Sequence, residues 1–435
     1  MPVSTDWTRH SAVQLAAMIQ QRTLTSTELV SACLARIEAV NPVLNALVQV
    51  CADDALAQAR QADLRIAHDQ CCGPLHGIPF TVKDVIDTAG VVSAAGLVKR
   101  AGYIPTQDAV VVARMKQAGA ILLGRSNCPA GGGGGVTDNA LYGATLNPHD
   151  RGHGPGGSSG GEAAAIAAGL SPLGLGSDSG GSLRIPAHFC GICTLKPTSG
   201  RVPSSGVFDH PGGLSDPRSQ VGPMARYVED LAVVHRVIAG PDQRDAAVIP
   251  MPAPAYDGIA VRGLKLAWYD DGGITAADAD TRAALQGAAD ILADAGAEVQ
   301  AAYPATLVRS RALTERYWTL AQGSGADAVQ LFADWDHYRT AMLAFFGDYD
   351  AILCPVDAGP APRRGEHRAD LFGHTLPYSL TGWPCVVIRA GSSADGLPIG
   401  VQIVARPWHE HVALALAAAI EAARPFSCWP KGWAQ

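Results

Sequence analysis

Two clusters of glycine and serine lie close together in this 435-residue chain: His153–Gly161 reads HGPGGSSGG and Gly176–Ser182 reads GSDSGGS. Glycine permits positive φ and close backbone approach, and amides exposed in such turns form a concave site for negative charge. A nucleotide phosphate is one candidate occupant. The phosphate loop, however, needs GxxxxGK[ST], and no lysine follows either cluster; the dinucleotide fingerprint GxGxxG is matched only loosely from His153 onward. The other candidate is the oxyanion of a tetrahedral intermediate, held by the amides of Ser179, Gly180, Gly181 and Ser182 at a strand end, with Ser182 as nucleophile.

A serine hydroxyl needs a base at neutral pH. There are thirteen histidines, but no GxSxG elbow surrounds Ser182, and the spacing of His153 and His188 does not compose a triad. The alternative is a lysine stripped of its proton by burial. The chain has only six lysines (Lys83, Lys99, Lys116, Lys196, Lys265 and Lys431) against twenty-seven arginines, so a lysine inside an apolar run stands out. Lys83 closes such a run in GIPFTVKD and Lys196 sits in LKPT; burial favours Lys83 without excluding Lys196.

These residues need a scaffold to hold them. The first seventy residues read as helices: Thr25 with Glu28 forms a capping box, and Leu29, Cys33, Ile37 and Val40 share one face of the helix that follows. A second helix is expected over Ala52–His68. From Gly73 onward, short apolar runs bounded by Gly and Pro read as buried strands: Ile78–Val82, Ala120–Leu123, Leu173–Leu175, Leu264–Trp268, Ala351–Cys354, Cys385–Ile388 and Ile399–Val404. Helices alternate with them over Thr106–Ala118, Ala276–Ala295, Thr314–Phe346 with interruptions, and His409–Ala423. The pattern predicts a layered α/β protein, a sheet between helices. One domain over 1–435 is expected, with N-terminal helices (1–70), a core (73–222), a helical segment of different composition (257–350) and a C-terminal part of the core (351–435).

Composition limits the ligand. Hydrophobic residues make up 48% and charged residues 17%, which excludes disorder as the main state. A formal charge of -7 without blocks of like charge argues against nucleic acid or an anionic membrane as partner and favours small neutral ligands. No run reaches the ~18 uninterrupted apolar residues of a membrane helix. Ten scattered cysteines and no signal-like N-terminus suggest reduced thiols in the cytoplasm. Cys190 and Cys193 form a CxxC without a second pair, so they are expected to pack as small core thiols and no metal is predicted.

GGSSGGEAAAIAAG followed by GSDSGGSLRIPAHFCGICTLKPT resembles the amidase signature family, whose members hydrolyse linear C–N bonds. The resemblance extends over most of the chain, through LTSTELVSACLARIEAVNPVLNALV, LHGIPFTVKDVIDTAG and DGLPIGVQIVARPWHE. It implies a central mixed β-sheet between layers of α-helices and a Ser-cisSer-Lys triad on Ser182, Ser158 and Lys83, with a cis peptide at Gly157-Ser158. It also implies an oxyanion hole on Ser179 to Ser182, no cofactor, and a monomer or homodimer. Ser159 is expected to share the polar network, and Asp178 and Arg184 to brace the loop.

The chain departs from the family at two places. His153 stands where an arginine is common, and a role in loop structure is expected for it. CPAGGGGGV replaces bulkier residues over Cys128–Val136, so Gly131, Gly132, Gly133, Gly134 and Gly135 present no side chains and are expected to widen a pocket mouth. Tyr142, Tyr378 and Trp383 are expected pocket walls, with Phe372 and Leu376 as further candidates, and His374 is a candidate substrate contact. The expected activity is cleavage of small, uncharged, rather apolar amides, anilides or carbamates, with esters in range. One alternative is a glutamine amidotransferase A-like subunit; a phosphate-binding module is a more distant one.

Overall fold

Residues 7, 10–71, 73–208, 218–320, 323–425 and 429–430 are described by the computed structural model; Cys72, Cys428 and Lys431 lie outside the described residues. Capping boxes at Ser11 and Thr25 open α1 (Ala12–Gln20) and α2 (Ser26–Leu44), and α2 turns Leu29, Cys33, Ile37 and Val40 into the core. There follow β1 (Leu47–Val50), α3 (Ala52–Ala67), β2 (Pro79–Lys83), α4 (Val110–Gln117) and β3 (Ile121–Ser126). The signature region forms α5 (Gly160–Ala167), β4 (Leu173–Asp178), α6 (Arg184–Cys190) and β5 (Cys193–Lys196). After β6 (Gln220–Ala225) and α7 (Val228–Ile238) come β7 (Lys265–Trp268), α8 (Ala279–Asp294), β8 (Glu298–Ala301), α9 (Ser310–Trp318) and α10 (Gly325–Phe345). The chain closes with β9 (Ala351–Pro355), α11 (Leu376–Thr381), β10 (Cys385–Ser392), β11 (Pro398–Ala405) and α12 (Glu410–Ala423).

Among the described residues, eleven strands form one mixed sheet in the order β1-β3-β2-β4-β6-β5-β10-β11-β9-β7-β8. Strands β2, β4, β9 and β11 are buried at every position, as continuous apolar runs require when both faces are covered. Helices α4, α7, α12 and α8 pack on one another in a row against the sheet, and α5 and α6 form a separate pair on it. The fold is therefore α/β, a sheet between helical layers.

Strand direction positions the chemistry. β2 runs parallel to both β3 and β4, with Lys83 paired to Ser126 and Val82 to Leu175, so the C-terminal ends of three neighbouring strands meet at one edge. Side chains at such an edge converge, and the loops leaving it form a crevice. Those loops carry Gly131–Gly135, Ser158 and Ser179–Ser182.

Candidate active site

The Lys83 ammonium is wholly buried at the end of β2. Its Nζ donates to Ser158 Oγ at 2.6 Å and to Ser177 Oγ at 2.9 Å. Among the described residues no carboxylate lies within ion-pair reach of it. Burial pushes Lys83 down from the ordinary 10.5 to about 8, against the opposing influence of Cys128, Asp178 and Glu162. A lysine in this state is deprotonated often enough near neutrality to act as a base.

Ser158 lies in the turn that leads into α5, and the Gly157-Ser158 peptide is cis. The neighbouring Ser159 amide donates to the Ser182 carbonyl at 3.1 Å, tying the two serine loops together. Ser159 Oγ donates to Ser177 O at 3.2 Å and accepts from the Ser177 amide at 3.3 Å. Ser182 is half-buried, and it shares a cleft with Ser158, Ser177, Ser179 and Gly180.

The loop from Ser179 to Leu183 is held at both ends. Asp178 and Arg184, both without solvent exposure, form a two-pronged ion pair with Nε–Oδ2 and Nη2–Oδ1 each at 3.0 Å. Asp178 Oδ2 also accepts from the Leu183 amide at 3.0 Å, and Arg184 reaches on to Thr375 O, Gln402 Oε1 and Ser379 Oγ. Burial works to raise the Asp178 carboxyl, but the adjacent Arg184 guanidinium outweighs it and holds the group below its ordinary range. Thr375 Oγ1 donates to Gly180 O at 2.5 Å. At Gly181, with φ +146°, a Cβ would lie 2.4 Å from Thr375 Oγ1, so only glycine fits. Among the described residues nothing accepts from the amides of Gly180, Gly181 and Ser182, which leaves three donors beside the Ser182 hydroxyl.

The cleft has a volume of about 300 Å³, at the small end for a ligand site. Its walls are Val85, Phe208, Trp318, Phe372 and the backbone of Gly131–Gly134, and among the described residues no charged side chain lines it. Gly135 sits behind this wall, where a Cβ would lie 2.2 Å from Leu371 Cδ2 and 3.3 Å from the Phe372 ring.

The other sequence candidates lie elsewhere. Tyr142, Tyr378 and Trp383, expected as pocket walls, do not line this cleft. Tyr142 is half-buried and its carbonyl accepts from Asn45. Tyr378 is fully buried against Tyr269, hydroxyl to hydroxyl at 2.8 Å, and Trp383 packs edge-on to Phe346 in the same apolar cluster. Tyr378 and Trp383 satisfy the core instead of the cleft; of the aromatics expected as walls, only Phe372 lines it. His374 turns its Nε2 to Thr275 O at 3.0 Å, and His153 faces Asp150 at 3.2 Å. His188 accepts from the Gly400 amide and its Nε2 faces Gly359 O; burial pushes it down to about 4. Cys190 and Cys193 direct their thiols to different carbonyls, Pro155 O and Arg226 O.

Sequence reasoning missed Ser177, Thr375, Val85, Phe208, Trp318 and Glu162. Glu162 had a readable signal, a lone carboxyl in a helix otherwise of Gly, Ala and Ile. Phe208 and Trp318 had none, being brought to the cleft by segments distant in the chain.

Known proteins resemble the chain over most of its length. The Amidase family profile matches residues 28–331 and 325–414. The glutamyl-tRNA(Gln) amidotransferase A subunit of Chloroflexus aggregans is 36% identical, covering 89% of this chain and 91% of the relative. An acylamidase of Rhodococcus erythropolis is 32% identical over 96% of each. Among solved structures, 6-aminohexanoate cyclic dimer hydrolase complexed with substrate superposes with a TM-score of 0.86 at 28% identity, covering 98% of this chain and 99% of that one. The chain belongs to the amidase signature family. It is a serine amidohydrolase, an enzyme acting on carbon–nitrogen bonds.

Proposed function

We propose that the enzyme hydrolyses small, uncharged and rather apolar amides, anilides or carbamates, with esters in range, through an acyl-enzyme on Ser182. Neutral Lys83 takes a proton from Ser158 as Ser158 takes one from Ser182, whose oxygen attacks the carbonyl carbon. The free amides of Gly180, Gly181 and Ser182 receive the oxyanion, Ser179 lying at the edge of the same turn. The relay then returns the proton to the leaving nitrogen, and water releases the acyl group by the same route. No cofactor enters the scheme.

The observation that carries the substrate class is the cleft wall: four apolar side chains and glycine backbone, with no charge among its described residues. Desolvating a charged substrate there costs several kcal/mol without a partner to offset it. The name of the Rhodococcus relative, an acylamidase, supports the same reading. The identity with the Chloroflexus amidotransferase favours a second reading, turnover of glutamine as part of a complex. A panel of acyl anilides, aryl carbamates, a dicarboxylic monoamide and glutamine, assayed with the purified chain alone, separates the two. Turnover confined to glutamine or the charged amide overturns the first reading.

A further inference from the structure

Glu162 lies in the first turn of α5 with no solvent exposure. One carboxyl oxygen accepts from Thr81 Oγ1 and the other from Ser126 Oγ at 2.5 Å. Thr81 is two residues before Lys83 on β2 and hence on the same face of the strand. Ser126 is the register partner of Lys83 on β3. On β4, Gly174 pairs with Thr81, and a Cβ there would lie 1.9 Å from Glu162 Oε1, so the strand leaves room for the carboxyl. Among the described residues no cation is within ion-pair distance of Glu162. A strut between two hydroxyls needs only a hydrogen-bonding group, and a buried ionisable group without a paired cation is costly. What a carboxyl adds to an amide is charge, one step along the sheet from the relay lysine.

We infer that Glu162 is a positioning residue of the relay: its bridge to Thr81 and Ser126 fixes α5 to β2 and β3 and so sets Lys83 against Ser158, while its charge state governs how readily Lys83 takes up a proton. The inference rests on the roles of Ser182, Ser158 and Lys83 proposed above. Lys83 is faced by Glu162 from α5, by Asp178 from the end of β4, and by Cys128 from the segment after β3. Asp178 is paired with Arg184, and burial pushes the Cys128 thiol up to about 12, so it stays uncharged. Glu162 is faced in turn by Lys83 and by Arg125, which is paired with Asp84 at 3.1 Å. Burial pushes Glu162 up to about 7, so of the groups facing Lys83 it is the one that changes charge near neutrality.

The test is kcat/KM against pH on a neutral anilide for the native enzyme, Glu162→Gln and Ser126→Ala, with fluorophosphonate labelling of Ser182 over the same range. Removing the negative charge favours neutral Lys83, so the acid limb of Glu162→Gln moves to lower pH by about half a unit or more. Ser126→Ala withdraws a donor from the carboxylate, raises its proton affinity and moves the limb the same way by less. It carries the test by itself if Glu162→Gln does not fold. An acid limb unmoved in the folded variants, with only kcat or Tm reduced, makes Glu162 a strut and overturns the inference. Absence of labelling at Ser182 in the native enzyme overturns the relay reading beneath it instead.

Discussion

Lys83 and Lys196 are both wholly buried, both end a strand of the same sheet, and burial pushes both down to about 8. Only their surroundings differ. Lys83 donates to two serine hydroxyls that open onto a cleft, whereas Lys196 donates to the carbonyl of Pro197 at 3.0 Å and touches no cavity wall near Ser182. A depressed proton affinity therefore makes a base available without making it useful. What distinguishes the two is that the Lys83 nitrogen meets hydroxyls at the wall of a cleft and the Lys196 nitrogen does not.

That contrast can be broken most sharply by paired substitution. Lys83→Met is expected to lower kcat/KM by ~10³-fold or more, within the range of a lost general base, with Ser182→Ala at least as severe. Lys196→Met should stay within a few-fold of native activity in the same assay. Equal losses from the two lysine variants would erase the distinction.

The Asp178–Arg184 pair stands between the lysines, since Asp178 acts on both. Arg184→Met leaves that carboxylate buried without its partner, at a cost of about 3–5 kcal/mol in denaturant titration. In whatever enzyme remains folded, the uncompensated charge favours both ammonium forms, so the acid limb of kcat/KM moves to higher pH. In the native enzyme that limb should rise through about 8, where Lys83 loses its proton.

Stability against pH sharpens the comparison from the other side. Folded Lys196 titrates near 8 and unfolded lysine near 10.5, so between those values the unfolded chain holds the extra proton and rising pH stabilises the fold. Below about 8 the full cost of burying the ammonium is present. Lys196→Met should thus raise Tm at pH 7, and the gain should shrink as pH climbs through that window. Among the cleft substitutions the smallest effect is expected at the rim: Gly133 has ordinary backbone angles (φ -100, ψ 146) and nothing within 4 Å of an added Cβ. Gly133→Leu should fold normally and raise KM for bulky anilides by about tenfold relative to a small amide.

The two lysines also mark what the sequence could and could not tell. Apolar runs announced β2, β3, β4, β7, β9, β10 and β11, because strands buried on both faces over most of their length must be apolar there. They understated the ends: β2, β3 and β4 continue into Lys83, Arg125–Ser126 and Ser177–Asp178, polar residues that bury by pairing. β1 (LVQV) is a strand where the first seventy residues read as helices, and β5 (CTLK), β6 (QVGPMA) and β8 (EVQA) gave no such signal either, their places being decided by neighbouring strands rather than by their own composition. The helix expected from Thr106 begins only at Val110. At the site, the residues of the glycine–serine motifs and Lys83 meet at one sheet edge, since motif spacing reflects local geometry. The cleft wall was far less legible, because Phe208, Trp318 and Phe372 reach it through tertiary packing.

The glycine loop meets the cis-serine turn backbone to backbone: a Cβ on Gly157 would lie 2.6 Å from Gly134 O. With no side chain between them to absorb a displacement, the rim and the Ser158 turn form a single mechanical unit at that point. Anyone narrowing the mouth to exclude larger substrates should therefore work outward from Gly133, where added bulk meets open space, and leave Gly157 untouched, where the same bulk would disturb Ser158.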